Sequence, residues 1–169
     1  MGADRREAIE RLFVQYGRGV GSYVLARLGD AELAEEITSR VFLTVVRQFD
    51  KCRGSAVGWL WAIVRSELAR HFRRRRRLVP LGDDPVDLAD SPPQELARRE
   101  MQQQIRAAMA ELSDQQQQII GMKFFLQVRN KEIAEALGIS ANQVGVKVHR
   151  ALRQLRDLMD PTPVSETDD

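Results

Sequence analysis

Residues 80–95 read PLGDDPVDLADSPPQE and hold four of the chain's six prolines without a single Lys or Arg. Proline lacks an amide donor and crowds the preceding turn, so no regular helix or central strand runs through such a stretch. Whatever folds must fold on either side of it. The chain divides into a module over residues 1–78, an acidic Pro-rich linker over 79–96, a second module over 97–159 and an acidic, disordered tail over 160–169. The linker's 18 residues could reach at most roughly 60 Å at ~3.4 Å each, and would average roughly 25 Å as a flexible coil. The modules can therefore sit side by side or far apart.

Both modules read as helical. Gly29-Asp30 ends one helix and caps the next, with Glu32, Glu35 and Glu36 near its positive end. Leu33, Ile37, Val41 and Val45 then recur every four residues, with Phe42, Val46 and Phe49 beside them. VFLTVV alone could be a strand, but the capped, periodic stretch Asp30–Phe49 is too long for one. A second stripe, Leu60, Val64, Leu68 and Phe72, follows the Arg53-Gly54-Ser55 turn and runs into Arg73–Arg77. An upstream helix over about Arg5 to Leu28 completes a small bundle, with Gly17 to Gly21 as the place where it could break. In the second module Ser113–Gln116 and Ser140–Gln143 are capping boxes, Asn130 can cap KEIAEAL, and Gly138 suits the left-handed position after it. The expected fold is all-α: an N-terminal helical bundle and a C-terminal helix-turn-helix bundle joined by a flexible linker.

Charge is segregated along the chain. Residues 1–79 carry 16 basic and 9 acidic side chains, residues 80–97 five acids alone, and residues 98–159 10 basic against 6 acidic. Two basic blocks around an acidic spacer suit two modules that touch a polyanion. Among the basic residues 22 are Arg and 4 are Lys, which favours bidentate contacts to phosphate. The longest apolar run is far short of the ~20 residues a membrane helix needs, and no secretory signal follows the charged first ten residues, so a cytoplasmic location is expected. Cys52 is the only cysteine and His71 and His149 the only histidines, which disfavours a disulfide or a metal site. No nucleophile–base set, phosphate loop or cofactor motif stands out. An enzyme is not expected, nor a cofactor.

Ala134, Gly138 and Val144 have the spacing of a helix-turn-helix: a small residue for close approach, a glycine for the turn, a branched apolar residue to lock the second helix. The outward residues of that second helix, Ala141, Asn142, Gly145, Lys147, His149 and Arg150, are small or polar and suit a major groove. An ordinary αα-hairpin with a solvated face is the plainer alternative. Arg73–Arg77 could likewise be no more than a solvated helix end. Here, however, the run extends a helix bearing Trp59, Trp61, Arg65, His71 and Phe72, and aromatics interleaved with Arg suit unpaired bases. Trp61 or His71 is the aromatic expected to be exposed, since each falls off the Leu60–Phe72 stripe.

Over about residues 9–158 the chain resembles an extracytoplasmic-function sigma factor, the smallest bacterial RNA polymerase sigma type. LGDAELAEEITSRVF resembles the family's polymerase-clamp-binding helix, RGSAVGWLWAIVRSELARHFRRRRR its promoter-melting helix pair, and ELSDQQQQIIGMKFFLQVRNKEIAEALGISANQVGVKVHRALRQLR its upstream-element reader. The two modules would then be sigma region 2-like and region 4-like. The resemblance implies core-polymerase binding by Glu35, Glu36, Ser39, Arg40 and Phe42. It implies that the loop Lys51–Val57, with Lys51, Arg53 and Ser55, holds a base flipped from the downstream promoter element. Trp61, Arg65, Ser66, Arg73, Arg74, Arg75 and Arg76 would face the opening, partly single-stranded promoter. Ser140, Asn142, Gln143, Gly145, Lys147, His149 and Arg150 would lie at the upstream duplex element. Core RNA polymerase, promoter DNA and an anti-sigma regulator are the partners so implied.

The chain departs from the family pattern in places. Ser39-Arg40 stands where Gln-Glu is common, Ser66 where Asn is common, Arg70 where Asp is common, and Gly145 where Lys is common. A stand-alone helix-turn-helix regulator, with weakened or lost polymerase binding, is the competing reading; it accommodates Arg40 but not the melting-helix pattern.

Overall fold

The computed structural model describes residues 2–78 and 92–160. The linker segment 79–91 and the tail beyond Asp160 lie outside the described residues. Among the described residues there are seven α-helices and no strand. The first module contains α1 (Gly2–Leu28), α2 (Ala31–Gln48) and α3 (Ala56–Leu78), with one 3₁₀ turn, Phe49–Lys51, between the last two. The second contains α4 (Pro93–Glu111), α5 (Asp114–Ile120), α6 (Asn130–Leu137) and α7 (Ala141–Met159), and α5 continues into a π-helical turn, Gly121–Phe125.

Helix α2 starts as its sequence dictates: the Asp30 carboxylate accepts from the Leu33 amide at 3.0 Å. VFLTVV is helical, because Ile37, Val41 and Val45 are wholly buried against Val20, Val24, Leu60 and Val64. Each such side chain contributes about 1.5–3 kcal/mol on leaving water. Helix α1 is continuous through Gly17, Gly19 and Gly21, without the break those glycines left open. Its glycines mark close approaches of neighbouring elements rather than an interruption. Gly19 lies against the backbone of Phe125, and Gly21 against Thr38.

Two further boundaries differ from the sequence reading. Helix α4 begins at Pro93, inside the stretch assigned by composition to the linker; proline at a first helical position loses no bond it would otherwise make. Helix α6 is entered from Arg129 rather than capped by Asn130. The Glu132 carboxylate reaches back to accept from the Arg129 amide at 3.4 Å and its Nε at 3.0 Å, and this contact holds Glu132 below the usual carboxylate range. The capping boxes at Ser113–Gln116 and Ser140–Gln143 are both formed.

The second module's core, Met109, Ile120, Met122, Ile133, Val144 and Ala151, is continuous with that of the first. Helix α1 touches α4 and the π-helical turn, and α3 touches α6.

Gly138 ends α6 at φ +66°, the left-handed region, and a Cβ there would meet nothing within 4 Å. Only backbone strain opposes a side chain. Gly138→Ala should lower unfolding stability by about 1–2 kcal/mol, and Gly138→Asn by less, read as urea midpoints at constant slope. Equal losses for both would mean that something other than backbone handedness is at work.

Candidate functional site

Three surfaces carry the residues singled out by sequence. The first is an open cleft of about 600 Å³ between α1 and α2. It exists because small side chains face one another where larger ones would interdigitate: Gly17 and Gly21 on α1, Ala31, Ala34, Thr38 and Ser39 on α2. Phe13, 57% exposed, forms one wall and meets Phe42 edge-on at 5.0 Å. Glu35 and Ser39 also line the cleft, and Phe42 is buried in its floor. Glu36 and Arg40 are not brought together with them. They pair with each other at 3.2 Å, and neither lines the cleft. The reversed charge at residue 40 therefore lies off the cleft. Sequence reasoning missed Phe13, Val14 and Leu25, although Phe13, Gly17, Gly21 and Leu25 stand four residues apart, as one row of a helix must.

The second surface comprises the loop before α3 and α3 itself. Arg53 donates to the carbonyls of Asp50 at 2.6 Å and Cys52 at 2.9 Å, and Ser55 Oγ accepts from the Gly58 amide at 3.1 Å. Both side chains thus build the loop and cap α3, while Lys51 projects to solvent. Arg5 of α1 ties this loop down through Asp50 at 3.2 Å and the Val46 carbonyl at 2.6 Å. Arg65, Ser66 and all five of Arg73–Arg77 are exposed. The basic end of α3 is also the negative end of its dipole, which favours the run. Arg70 pairs with the buried Glu67 at 3.1 Å, so the arginine at the usual Asp position neutralises a core carboxylate.

Trp61 is not the exposed aromatic. It is 3% exposed, packed on Tyr23 at 4.7 Å and against Gly121. Its position off the Leu60–Phe72 stripe faces the second module rather than water. His71 is half-buried and meets Phe72 edge-on at 5.5 Å. Burial first, then the charges of Arg75 and Arg40, push its pKa below the ordinary 6.5 despite the opposing pull of Glu36. Phe72 also carries Arg27 over its ring at 5.5 Å.

The third surface is α6, its turn and α7. Ala134 and Val144 are buried at the helix crossing, as the helix-turn-helix spacing requires. Ser140 Oγ accepts from the Gln143 amide at 3.1 Å, and Gln143 Oε1 accepts from the Ser140 amide at 2.9 Å. These two side chains are spent on the helix start. Lys147 donates to Gln115 Oε1 at 2.9 Å, which tethers it to the first turn of α5. Asn142, His149 and Arg150 are exposed and Gly145 half-buried. Val146, 49% exposed, lies one helical turn beyond Asn142 and was missed by the sequence reading. Its signal was an apolar residue off the Val144–Val148–Ala151 stripe.

Among the described residues no group of three His, Cys, Asp or Glu side chains could hold a metal, and no helix is long and apolar enough to cross a membrane.

The sigma-70 region 2 model matches residues 12–78, and the sigma-70 region 4 model matches residues 102–155. The chain is 27% identical over 161 residues to the RNA polymerase sigma factor YlaC of Bacillus subtilis, covering 91% of this chain and 93% of that one. It is 28% identical over 161 residues to the ECF RNA polymerase sigma factor RpoE of Cereibacter sphaeroides, covering 90% and 86%. The fold is similar to that of the sigma factor RpoE in complex with the anti-sigma factor NepR from Bartonella quintana, with a TM-score of 0.55, 15% identity and coverage of 90% and 97%.

The lowered pKa of His71 has a definite sign. The unfolded chain, titrating near 6.5, binds the proton more readily than the folded one. The contribution of His71 is therefore complete above the unfolded value and is lost as pH falls below it. His71→Gln should flatten the decline of the unfolding midpoint between about pH 7 and about pH 5. An unchanged slope would remove His71 as its source.

Proposed function

Because the chain belongs to the sigma-70 family, in its extracytoplasmic-function type, we propose that it binds core RNA polymerase and directs promoter recognition, strand opening and initiation. The observation that carries this reading is the exposed Arg73–Arg77 run at the end of α3, on the same chain as a helix-turn-helix whose second helix presents Asn142, Val146, His149 and Arg150. One element suits an opening strand, the other a duplex groove. Neither calls for chemistry, so the chain acts as a dissociable specificity subunit in the compartment that holds the polymerase.

The α1–α2 cleft is the polymerase-docking surface in this reading. Its apolar floor suits an amphipathic helix, and Glu35 at its edge suits basic residues on that helix. Glu36 and Arg40 pair within α2, off the cleft, and have no direct part in docking in this reading. An anti-sigma regulator, as in the NepR complex, is proposed to compete for core-binding surfaces of this kind. Lys51, Arg65, Ser66 and Arg73–Arg77 follow the opened promoter. On α7, Val146 suits a thymine methyl, while Asn142, His149 and Arg150 reach base edges or phosphates.

Mixing the purified chain with core polymerase and scoring promoter-dependent transcription tests the reading. A chain that binds promoter fragments but never core polymerase would be a stand-alone regulator. Phe13→Ala and Glu35→Arg should each weaken core association about tenfold, equivalent to about 1.4 kcal/mol. Arg40→Glu should change it by less, because Arg40 lies off the cleft. The reverse ranking, by fluorescence anisotropy of labelled chain, would move the docking surface to the α2–α3 side.

Alanine at Arg73–Arg77 should leave core binding intact and reduce permanganate-reactive opening at a duplex promoter. A template with a pre-opened mismatch bubble should recover part of the loss, since the unstacking cost of a few kcal/mol is then removed. Equal opening by wild type and variant on duplex DNA would leave these arginines as a solvated helix end.

A further inference from the structure

The loop before α3 is held from three directions. Within it, Arg53 occupies the Asp50 and Cys52 carbonyls, and the Cys52 amide donates to the Phe49 carbonyl at 2.9 Å. Across its stem, Phe49 meets Trp59 of α3 edge-on at 6.1 Å. The third hold comes from another helix. Arg5 of α1 donates from Nε to the Asp50 carboxylate at 3.2 Å and from Nη2 to the Val46 carbonyl at 2.6 Å. Val46 lies in the last turn of α2, where carbonyls run out of helical donors. A planar fork that meets both acceptors at once sets the angle at which the chain leaves α2, which neither contact could do alone. Beyond this anchor the loop is open. Lys51, Arg53 and Gly54 are exposed, and a Cβ at Gly54, where φ is +68°, would meet nothing within 4 Å.

We propose that Arg5 is a positioning residue for base selection: from outside the loop it fixes the backbone that holds the flipped promoter base, and so sets how sharply that base is discriminated. This rests on the promoter role proposed above and on the flipped-base role that the family resemblance gives the loop. Arg5 stands ahead of residue 12, where the sigma-70 region 2 match begins, so the matched segment does not contain it. Its action is indirect. A base held in a small loop is read through the placement of that loop's polar groups, and a shift of a fraction of an ångström weakens each hydrogen bond they make. The Arg5–Asp50 pair is too exposed to matter much for folding, with 79% of the Asp50 side chain open to water. Loss of Arg5 therefore acts on discrimination at one base, whereas loss of a phosphate contact weakens every sequence alike.

The test uses holoenzyme reconstituted from the full chain and core polymerase, with a pool of single-stranded oligonucleotides randomised over the downstream element. Sequencing the retained strands gives an enrichment for each base at each position. Wild type should favour one base at the position the loop holds. Arg5→Ala, a change that suits a helix and so retains folding, should cut that enrichment about threefold or more. Enrichment at other positions, core affinity and the thermal midpoint should stay as in wild type. Arg5→Lys keeps the charge but meets one acceptor at a time, and should fall between the two. Arg6→Ala removes the same charge one residue along, where the guanidinium pairs with Glu10 at 2.9 Å, and should match wild type.

An unchanged preference in Arg5→Ala, or a uniform loss over all sequences shared with Arg6→Ala, would overturn the positioning role. Lys51→Ala combined with Arg53→Ala separates that role from the reading beneath it. If this double variant shifts base preference and Arg5→Ala does not, the loop selects its base without Arg5. If neither shifts it, the loop is not the reader, and the flipped-base role falls together with that of Arg5. A wild-type holoenzyme without base preference at any position would strike the proposed promoter role itself.

Discussion

Helix α1 is buried along two sides, and that double demand shapes most of the fold. Val20 and Val24 pack toward α2 and α3, while Tyr23 meets Phe125 and Gly19 admits the backbone at the last residue of the π-helical turn. A helix with two buried sides cannot show a single apolar stripe. It needs small residues wherever another backbone comes closest, and glycine is the extreme case. Helix propensity is given up at Gly17, Gly19 and Gly21 in exchange for an open cleft on one side and a close crossing on the other.

This explains which parts of the fold are legible from sequence. Helix α2, with one buried face and an Asp30 cap, follows from its periodicity, and so do the two serine capping boxes and the left-handed Gly138. Helix α1 invites a break at its glycines because their partners, Phe125 and Thr38, are remote in sequence. Trp61 misleads for the same reason. Periodicity within α3 shows that Trp61 lies off the main stripe, but not that Tyr23 of α1 and Gly121 of the second module together cover it. At the proposed site, the arginine run and the exposed side of α7 can be read directly. Phe13, Leu25 and Val146 cannot, since an exposed apolar residue becomes informative only beside its neighbours.

Polar groups show a further division between building and reading. Arg53, Ser55, Ser140 and Gln143 all fall in segments expected to touch DNA, yet each is engaged in holding its own backbone. Such groups act by positioning: a loop whose carbonyls are already satisfied by Arg53 keeps one shape when a base approaches. Reading is left to side chains without that duty, such as Lys51, Asn142 and Arg150. The departures from the family pattern follow the same logic. Arg70 answers the buried Glu67, and Arg40 answers Glu36, so both unusual charges are balanced locally.

The cleft between α1 and α2 lies on the side of α1 away from the π-helical turn, so a partner seated there reaches the second module only through α1 itself. Transmission along α1 requires a stiff helix, and an unbroken 27-residue helix serves that purpose as a helix broken at Gly17–Gly21 could not.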